Sequence, residues 1–367
     1  MTGRERFLTV LDNKKPDRMP VQVHDFMSYY LKHYLHGMSD CEAYDFFGMD
    51  PVLYRRPTPI YSPRALENWV EECKYGPEEA DGSRTFVCTI TTPEGVLRRE
   101  GKSTPVTTYT TRHWIQCERD FDIWNKYVPL PDSFDWTPVR DAKRWVGDRG
   151  IVRGGLFDFG QGSPWQSLTA DLMDVQEAIY LAFDEPERLH YMLECMLQKK
   201  LKAIEHMDEI ENDLIECGGG SGSSTVISPD MHREFCLPYD QRQHKAIHEH
   251  GAKVVYHLCG GLMPLLEIVA ENGADGLETM TPVSMGGDCD IEEAARRVGD
   301  KLFFIGGFDQ NAGFENGTVE NVREQVQRLF KARPNGGYIC CPSDHFFHGD
   351  PKLIQAFVDA ARACVYD

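Results

Sequence analysis

Short β-branched or apolar runs that end in glycine alternate with amphipathic stretches through the second half of the chain. Runs at 151–156, 213–216, 253–258, 276–278, 301–305 and 338–341 are too short for helices, and glycine turns bound several of them, so they read as buried strands. Between them apolar residues recur at helical spacing, predicting helices over about 171–183, 187–207, 263–272, 291–298, 319–330 and 351–364. Ser228-Pro229-Asp230 opens a further helix reaching His250, with serine as the cap and proline at the first helical position. Repeated β-α units imply a parallel sheet, and so long a series implies an α/β fold closed as a (β/α)8 TIM barrel. A run at 19–23 supplies the first strand of this single domain, residues 1–367. An excursion at about 40–145 should cover the barrel mouth. Within it, residues 84–115 alternate Thr, Val, Ile and Tyr around a Pro-Glu-Gly turn at 93–95, the pattern of a β-hairpin.

The strand Lys253-Val254-Val255-Tyr256-His257-Leu258-Cys259 runs straight into Gly260-Gly261. Side chains alternate along a strand, so His257 and Cys259 share a face. Imidazole and thiolate are ligands that Zn²⁺ prefers, and a catalytic zinc needs one or two more from distant strand ends. A buried structural histidine and cysteine is the plainer alternative. In a barrel of this kind the active face carries the C-terminal strand ends. There the sequence sets His24, Asp158, Glu216, Cys217, His257, Cys259, Glu278, Asp309, Cys340, Cys341, Asp344 and His345. Any one acidic member can be a loop or helix cap. Six strand ends each carrying a charged or metal-capable group, beside glycines that let a ligand approach, are harder to explain by capping alone.

The net charge of −19 over 367 residues argues against a nucleic-acid or anionic-membrane partner, which would need a basic face. Twelve cysteines would permit disulfides in a secreted protein, but residues 1–7 begin an amphipathic helix without an apolar signal core. Reduced cysteines and a cytoplasmic location are therefore expected. No run approaches the ~18 apolar residues of a membrane span. The glycines of 155–162 lack the strand-to-helix spacing of a nucleotide loop and suit substrate approach better. Trp165, Phe346 and Phe347 would line a pocket for an aromatic substrate, with core packing as the alternative.

Taken in order, Val254-Val255-Tyr256-His257-x-Cys259-Gly260, Leu265-Leu266, Glu271-x-Gly273-Ala274-Asp275-Gly276, Gly306-Gly307-x-Asp309, Gly317-Thr318-x-Glu320-x-Val322 and Gly337-Tyr338-Ile339 resemble the uroporphyrinogen decarboxylase superfamily, from about residue 150 onward. The decarboxylases of that superfamily grip their substrate's carboxylates with an arginine-rich segment after the first strand. Here that segment is Val23-His24-Asp25-Phe26-Met27. The His-x-Cys pair resembles the metal motif of the other branch, the zinc methyltransferases that work with corrinoid proteins. That resemblance implies Zn²⁺ at His257 and Cys259, a corrinoid carried by a partner protein, and a homodimer. Branch members acting on thiols take a third ligand, a cysteine, from the last strand's loop. Aligning Pro342 places Asp344 there, with Cys341 three residues earlier as the alternative.

A His/Cys/Asp set is harder than His/Cys/Cys and would suit a methyl group on oxygen or nitrogen, as in a methoxyarene or methylamine. Glu216, Glu278 and Asp309 are then the candidate catalytic carboxylates, and His24, Asp158, Trp165, His345 and Phe346 the candidate substrate contacts. Two other readings remain. A metal-free decarboxylase or lyase would hold a carboxylate with Arg153 or with Arg98 and Arg99. An accessory subunit would carry a structural zinc.

Overall fold

The computed structural model describes residues 1–156 and 162–367. Seven strands lie in chain order in one all-parallel sheet: Val52–Tyr54, Ile151–Gly154, Leu214–Gly218, Lys253–His257, Gly276–Thr279, Phe303–Gly306 and Tyr338–Ile339. Beyond the last strand Val21 forms a parallel bridge with Cys340, Cys340 N donating to Pro20 O at 2.9 Å and Gln22 N to Cys340 O at 3.0 Å. The sheet curls, so that Arg153 on the second strand reaches and hydrogen-bonds Glu278 on the fifth. Helices follow the strands as the apolar periodicity implies. The expected helix to His250 is two, Pro229–Phe235 and Leu237–Glu249, breaking at Cys236 just before Pro238. Among the described residues no helix is long and apolar enough to cross a membrane.

The concave side of the sheet is built in two tiers. Val52, Ile151, Leu214, Val255, Phe303, Ile305, Ile339 and Cys341 form an apolar floor, and Phe7, Val10 and Leu11 of the N-terminal helix Gly3–Leu11 plug it from below. Each such fully buried side chain contributes roughly 1.5–3 kcal/mol. Two positions further along the first five strands the same face turns polar: Val52 gives way to Tyr54, Ile151 to Arg153, Leu214 to Glu216, Val255 to His257, and Gly276 to Glu278. Strand alternation thus stacks a polar tier on a dry floor.

Val52–Tyr54 falls inside the stretch expected to be an excursion, which therefore starts after Tyr54 rather than near 40. Three residues after Pro51 and before Arg55-Arg56 are too few to show a strand's periodicity. The excursion itself holds a four-stranded antiparallel sheet, Val70–Tyr75, Arg84–Thr92, Gly95–Ser103 and Thr108–Arg112, in which Thr92 opposes Gly95 across the turn. Its apolar face, Phe86, Ile90 and Leu97, packs with Trp124 and with Leu189 and Met192 of the helix Pro186–Glu205. Cys73 and Cys88 stand directly opposite in that sheet, 4.1 Å apart at Cα, and are disulfide-bonded. The expectation of fully reduced cysteines fails for this pair, because composition cannot show that the register sets two thiols face to face. The other ten are free.

Candidate metal centre

His257, Cys259 and Asp344 each offer a ligand atom, and these atoms lie within 4.8 Å of one another. His257 ends its strand facing the polar tier, while Cys259 follows in the glycine turn. Asp344 enters from the loop after Tyr338–Ile339. A Cβ on Gly220 would come 2.7 Å from Cys259 Sγ, so glycine there leaves room for the thiol. Nitrogen and sulfur from one strand end and its turn, with carboxylate oxygen from a second loop, are a donor set that fits zinc with a coordination position left for a substrate.

The partner of His257 strengthens that fit. Its Nδ1 lies 2.9 Å from Glu278 Oε1. A carboxylate at Nδ1 selects the tautomer protonated there and leaves Nε2 as the metal ligand, the usual outer support of a metal-bound histidine. Glu278 is 1% exposed, and Oε1 also accepts from Arg153 Nη2 at 2.7 Å. The same Nη2 reaches Glu216 Oε2 at 2.7 Å, and the Arg153 guanidinium lies 5.6 Å from the Tyr54 ring. Thr279, next after Glu278, adopts a φ of 81° that a β-branched residue rarely takes, with its hydroxyl donating to Leu258 O. The chain thereby leaves the strand immediately past the carboxylate.

His24, Glu216, His257 and Glu278 form a second close group. Arg153, held by both carboxylates, already supplies its positive charge, so this group reads as an ion-paired support for the first. Burial alone would raise the Glu278 pKa; Arg153 above all, with His257, outweighs it and holds it well below the usual carboxylate range. Burial depresses His24 to about 3, with Arg153, His257 and His345 acting the same way and Glu278 against them. His24 is therefore neutral, and its 3.8 Å and 3.9 Å approaches to Glu216 and Glu278 are not ion pairs. For His257, burial opposes the charge, but hydrogen bonds to Cys259 and Glu278 and the nearby Glu216 raise its pKa well above the ordinary value.

The remaining candidates divide. His345 packs edge-on to His24, ring centroids 4.5 Å apart, and so joins the cluster. Cys341 lies in the floor, where Gln22 Nε2 approaches its sulfur at 3.8 Å. Burial first, then Glu278, push that thiol's pKa up and keep it protonated. The loop therefore brings Asp344, not Cys341, to His257 and Cys259. Asp309 ties its own loop to the neighbouring one: its carboxylate accepts from Ala312 N and from Ser284 Oγ. Trp165 is 1% exposed, its indole bonded to Ser221 O and its ring packed near Phe235. Phe346 packs among Tyr30, Phe26 and Phe314. Both aromatics are core, because their bulk is buried beneath the loops that carry the polar groups. Asp158 lies outside the described residues. Arg153 was weighed in the sequence only as a carboxylate grip; its signal was a charge in a strand otherwise buried on both faces.

Comparison with known proteins agrees with this architecture. A solved methyltransferase from Methanosarcina mazei superposes over 98% of each chain, with a TM-score of 0.63 at 15% identity, a likeness of fold. The curated uroporphyrinogen decarboxylase of Pseudomonas putida (strain KT2440) is 28% identical over 254 residues, 64% of this chain and 66% of that protein. That of Pseudomonas entomophila matches at 28% over the same length. The chain thus spans 66% of the length of these relatives. The model of the uroporphyrinogen decarboxylase (URO-D) family matches residues 160–364, more than half of the chain, and the chain belongs to that family of enzymes.

Proposed function

We propose that this chain is a zinc-dependent methyltransferase on a closed (β/α)8 barrel. It would exchange a methyl group between a small methoxyarene or methylamine and a corrinoid brought by a separate protein. The observation that carries this reading is the convergence of His257, Cys259 and Asp344, with Glu278 at the far nitrogen of His257. Zinc held by these three residues would supply Lewis-acid polarisation of the substrate's oxygen or nitrogen, lowering the cost of its departure from the methyl carbon. A carboxylate in place of a second thiolate leaves more positive charge for that purpose.

The chain's own residues then have separate tasks. Glu278, ionised against Arg153, orients His257 through Nδ1–H. Glu216 keeps one oxygen on Arg153 while the other, 3.6 Å from His257 Nδ1, belongs to the carboxylate of the pair that reaches solvent, with 18% of its side chain exposed. It is placed to take up or pass on a proton. Neutral His24 forms the wall beside it, with the His345 ring packed edge-on against it. The decarboxylase activity of the curated relatives would call for cationic grips on a polycarboxylate. Arg153 is committed to Glu216 and Glu278, Arg98 pairs with Glu100, and Arg99 lies over Phe86 and Trp114 in the antiparallel sheet. A cytoplasmic homodimer joined by apolar surface is part of this reading; a monomer mass in light scattering would remove the dimer.

The test is to follow loss of free reduced cobalamin spectrophotometrically while offering methoxyarenes, methylamines and methylated thiols. Expected is methylation from an ether or amine that stops on chelation and returns with zinc. Chelator-insensitive transfer, a thiol as the best substrate, or carbon dioxide release from a tetrapyrrole acid without metal would each refute it.

A further inference from the structure

Asp344 sits in a loop, and a loop carboxylate is a poor ligand unless its backbone is fixed. The neighbouring strand's loop supplies the fixing. Past Phe303–Gly306 the pairing continues as a parallel bridge between Phe308 and Pro342, with Ser343 N donating to Phe308 O at 2.9 Å. There the two backbones part, since Asn311–Glu315 coils into a π-helical turn. The side chain of Gln310, 2% exposed, takes over where the ladder ends. Its amide oxygen accepts from Ser343 N at 3.2 Å, and its amide nitrogen donates to His345 O at 3.3 Å. These are the residues immediately before and after Asp344. Gln310 is itself seated firmly, for Asp309 beside it bonds Ala312 N and Ser284, and Asp309 N donates to Gln325 Oε1. Asp344 spends one carboxylate oxygen on His345 N at 2.7 Å, which sets the rotation of its side chain.

We propose that Gln310 is a positioning residue for Asp344: its amide, acting as a substitute peptide group, brackets the loop so that the carboxylate faces His257 and Cys259. The inference rests on Asp344 being a metal ligand. A side-chain amide suits the place because it offers one acceptor and one donor in a fixed plane, matching an N–H on one side of Asp344 and a C=O on the other. Gln310→Met keeps the volume and removes both bonds. Gln310→Glu keeps the acceptor for Ser343 and sets a carboxylate oxygen against the His345 carbonyl.

The readout is zinc affinity, measured by competition with a chromophoric chelator on protein whose circular dichroism matches the parent. Gln310→Met should weaken binding roughly 10- to 100-fold, the usual effect of losing an outer-shell support, and Gln310→Glu should fall between. In cobalt(II)-loaded Gln310→Met the thiolate charge-transfer band from Cys259 should persist while the ligand-field bands move toward those of Asp344→Ala. In an Asp344→Ala background, Gln310→Met should cost nothing more, because the group it positions is gone. Parent-like affinity in Gln310→Met, or losses that add in the double variant, would overturn the inference while leaving Asp344 a ligand. Parent-like affinity in Asp344→Ala would instead overturn the ligand assignment, and the inference with it. Should Gln310→Met fail to fold, Gln310→Glu decides, since parent-like affinity there refutes the bracket.

Discussion

Arg153→Met should destabilise the metal-free protein by about 3–5 kcal/mol, the range for removing one partner of a buried ion pair. Arg153 is fully buried and Glu278 is 1% exposed, so the substitution leaves a carboxylate that water does not reach, its Oε2 already without a partner. At 2.7 Å the direct attraction is about 6 kcal/mol for an effective dielectric of ~20, and desolvation of both groups offsets part of it. The exposed pair Arg233–Glu271, by contrast, is screened by water and should contribute little. The assay is urea unfolding of Arg153→Met, Glu278→Gln and the double variant over a range of pH. Glu278 in the folded parent has a depressed pKa, so its contribution is complete above its unfolded value of about 4.3 and is lost as pH falls through the folded pKa. Without Arg153 the folded carboxylate favours its proton, so the variant's deficit should be largest near neutrality and shrink toward about pH 4. Glu278→Gln in the Arg153→Met background should restore much of the loss. A deficit below about 1 kcal/mol, or one independent of pH, would refute the buried pair as the organiser of the polar tier.

Two further outcomes follow from the same geometry. Burial raises the Asp240 pKa to about 7, with the Tyr256 hydroxyl and Lys200 acting against it; a raised carboxylate takes up protons on folding, so parent stability should fall as pH rises from about 4 to about 7, and Asp240→Asn should abolish that slope and gain on the order of a few kcal/mol above it. Thermal unfolding across that pH range checks this, and an unchanged slope in Asp240→Asn refutes it. Asp344→Ala and Cys259→Ala should each lose most bound zinc with the fold retained, whereas Cys341→Ser should keep it. Metal analysis that found Cys341→Ser depleted and Asp344→Ala loaded would reverse the ligand assignment.

Much of the parallel sheet was legible because its strands are buried on both faces and end in glycine. Ile151–Gly154 and Phe303–Gly306 show both features in a few residues. Val52–Tyr54 is buried on both faces as well, but it is three residues between a proline and two arginines with no glycine at its end, and only its ladder to Ile151–Arg153 identifies it as a strand. The facing of Cys73 and Cys88 was hidden for a related reason: register is fixed by which residues of two strands meet, and nothing local records it.

In the site, the readable residues are those whose chemistry is unusual for their place in the chain. His257 and Cys259 are two positions apart at a strand end, and alternation alone puts them on one face. Glu278 was visible as a charge at a strand terminus, but its task was not, because a ligand and the support of a ligand are the same residue type until the distance to His257 Nδ1 separates them. For Trp165 and Phe346 the sequence left pocket and core open, because a large aromatic ring beside a polar loop carries the same signal whether it lies above or below that loop. Gln310 was beyond sequence reasoning altogether. A glutamine after an aspartate in a loop is unremarked by any periodicity, and its meaning depends on a second loop, more than thirty residues on, whose backbone it holds on both sides of one carboxylate.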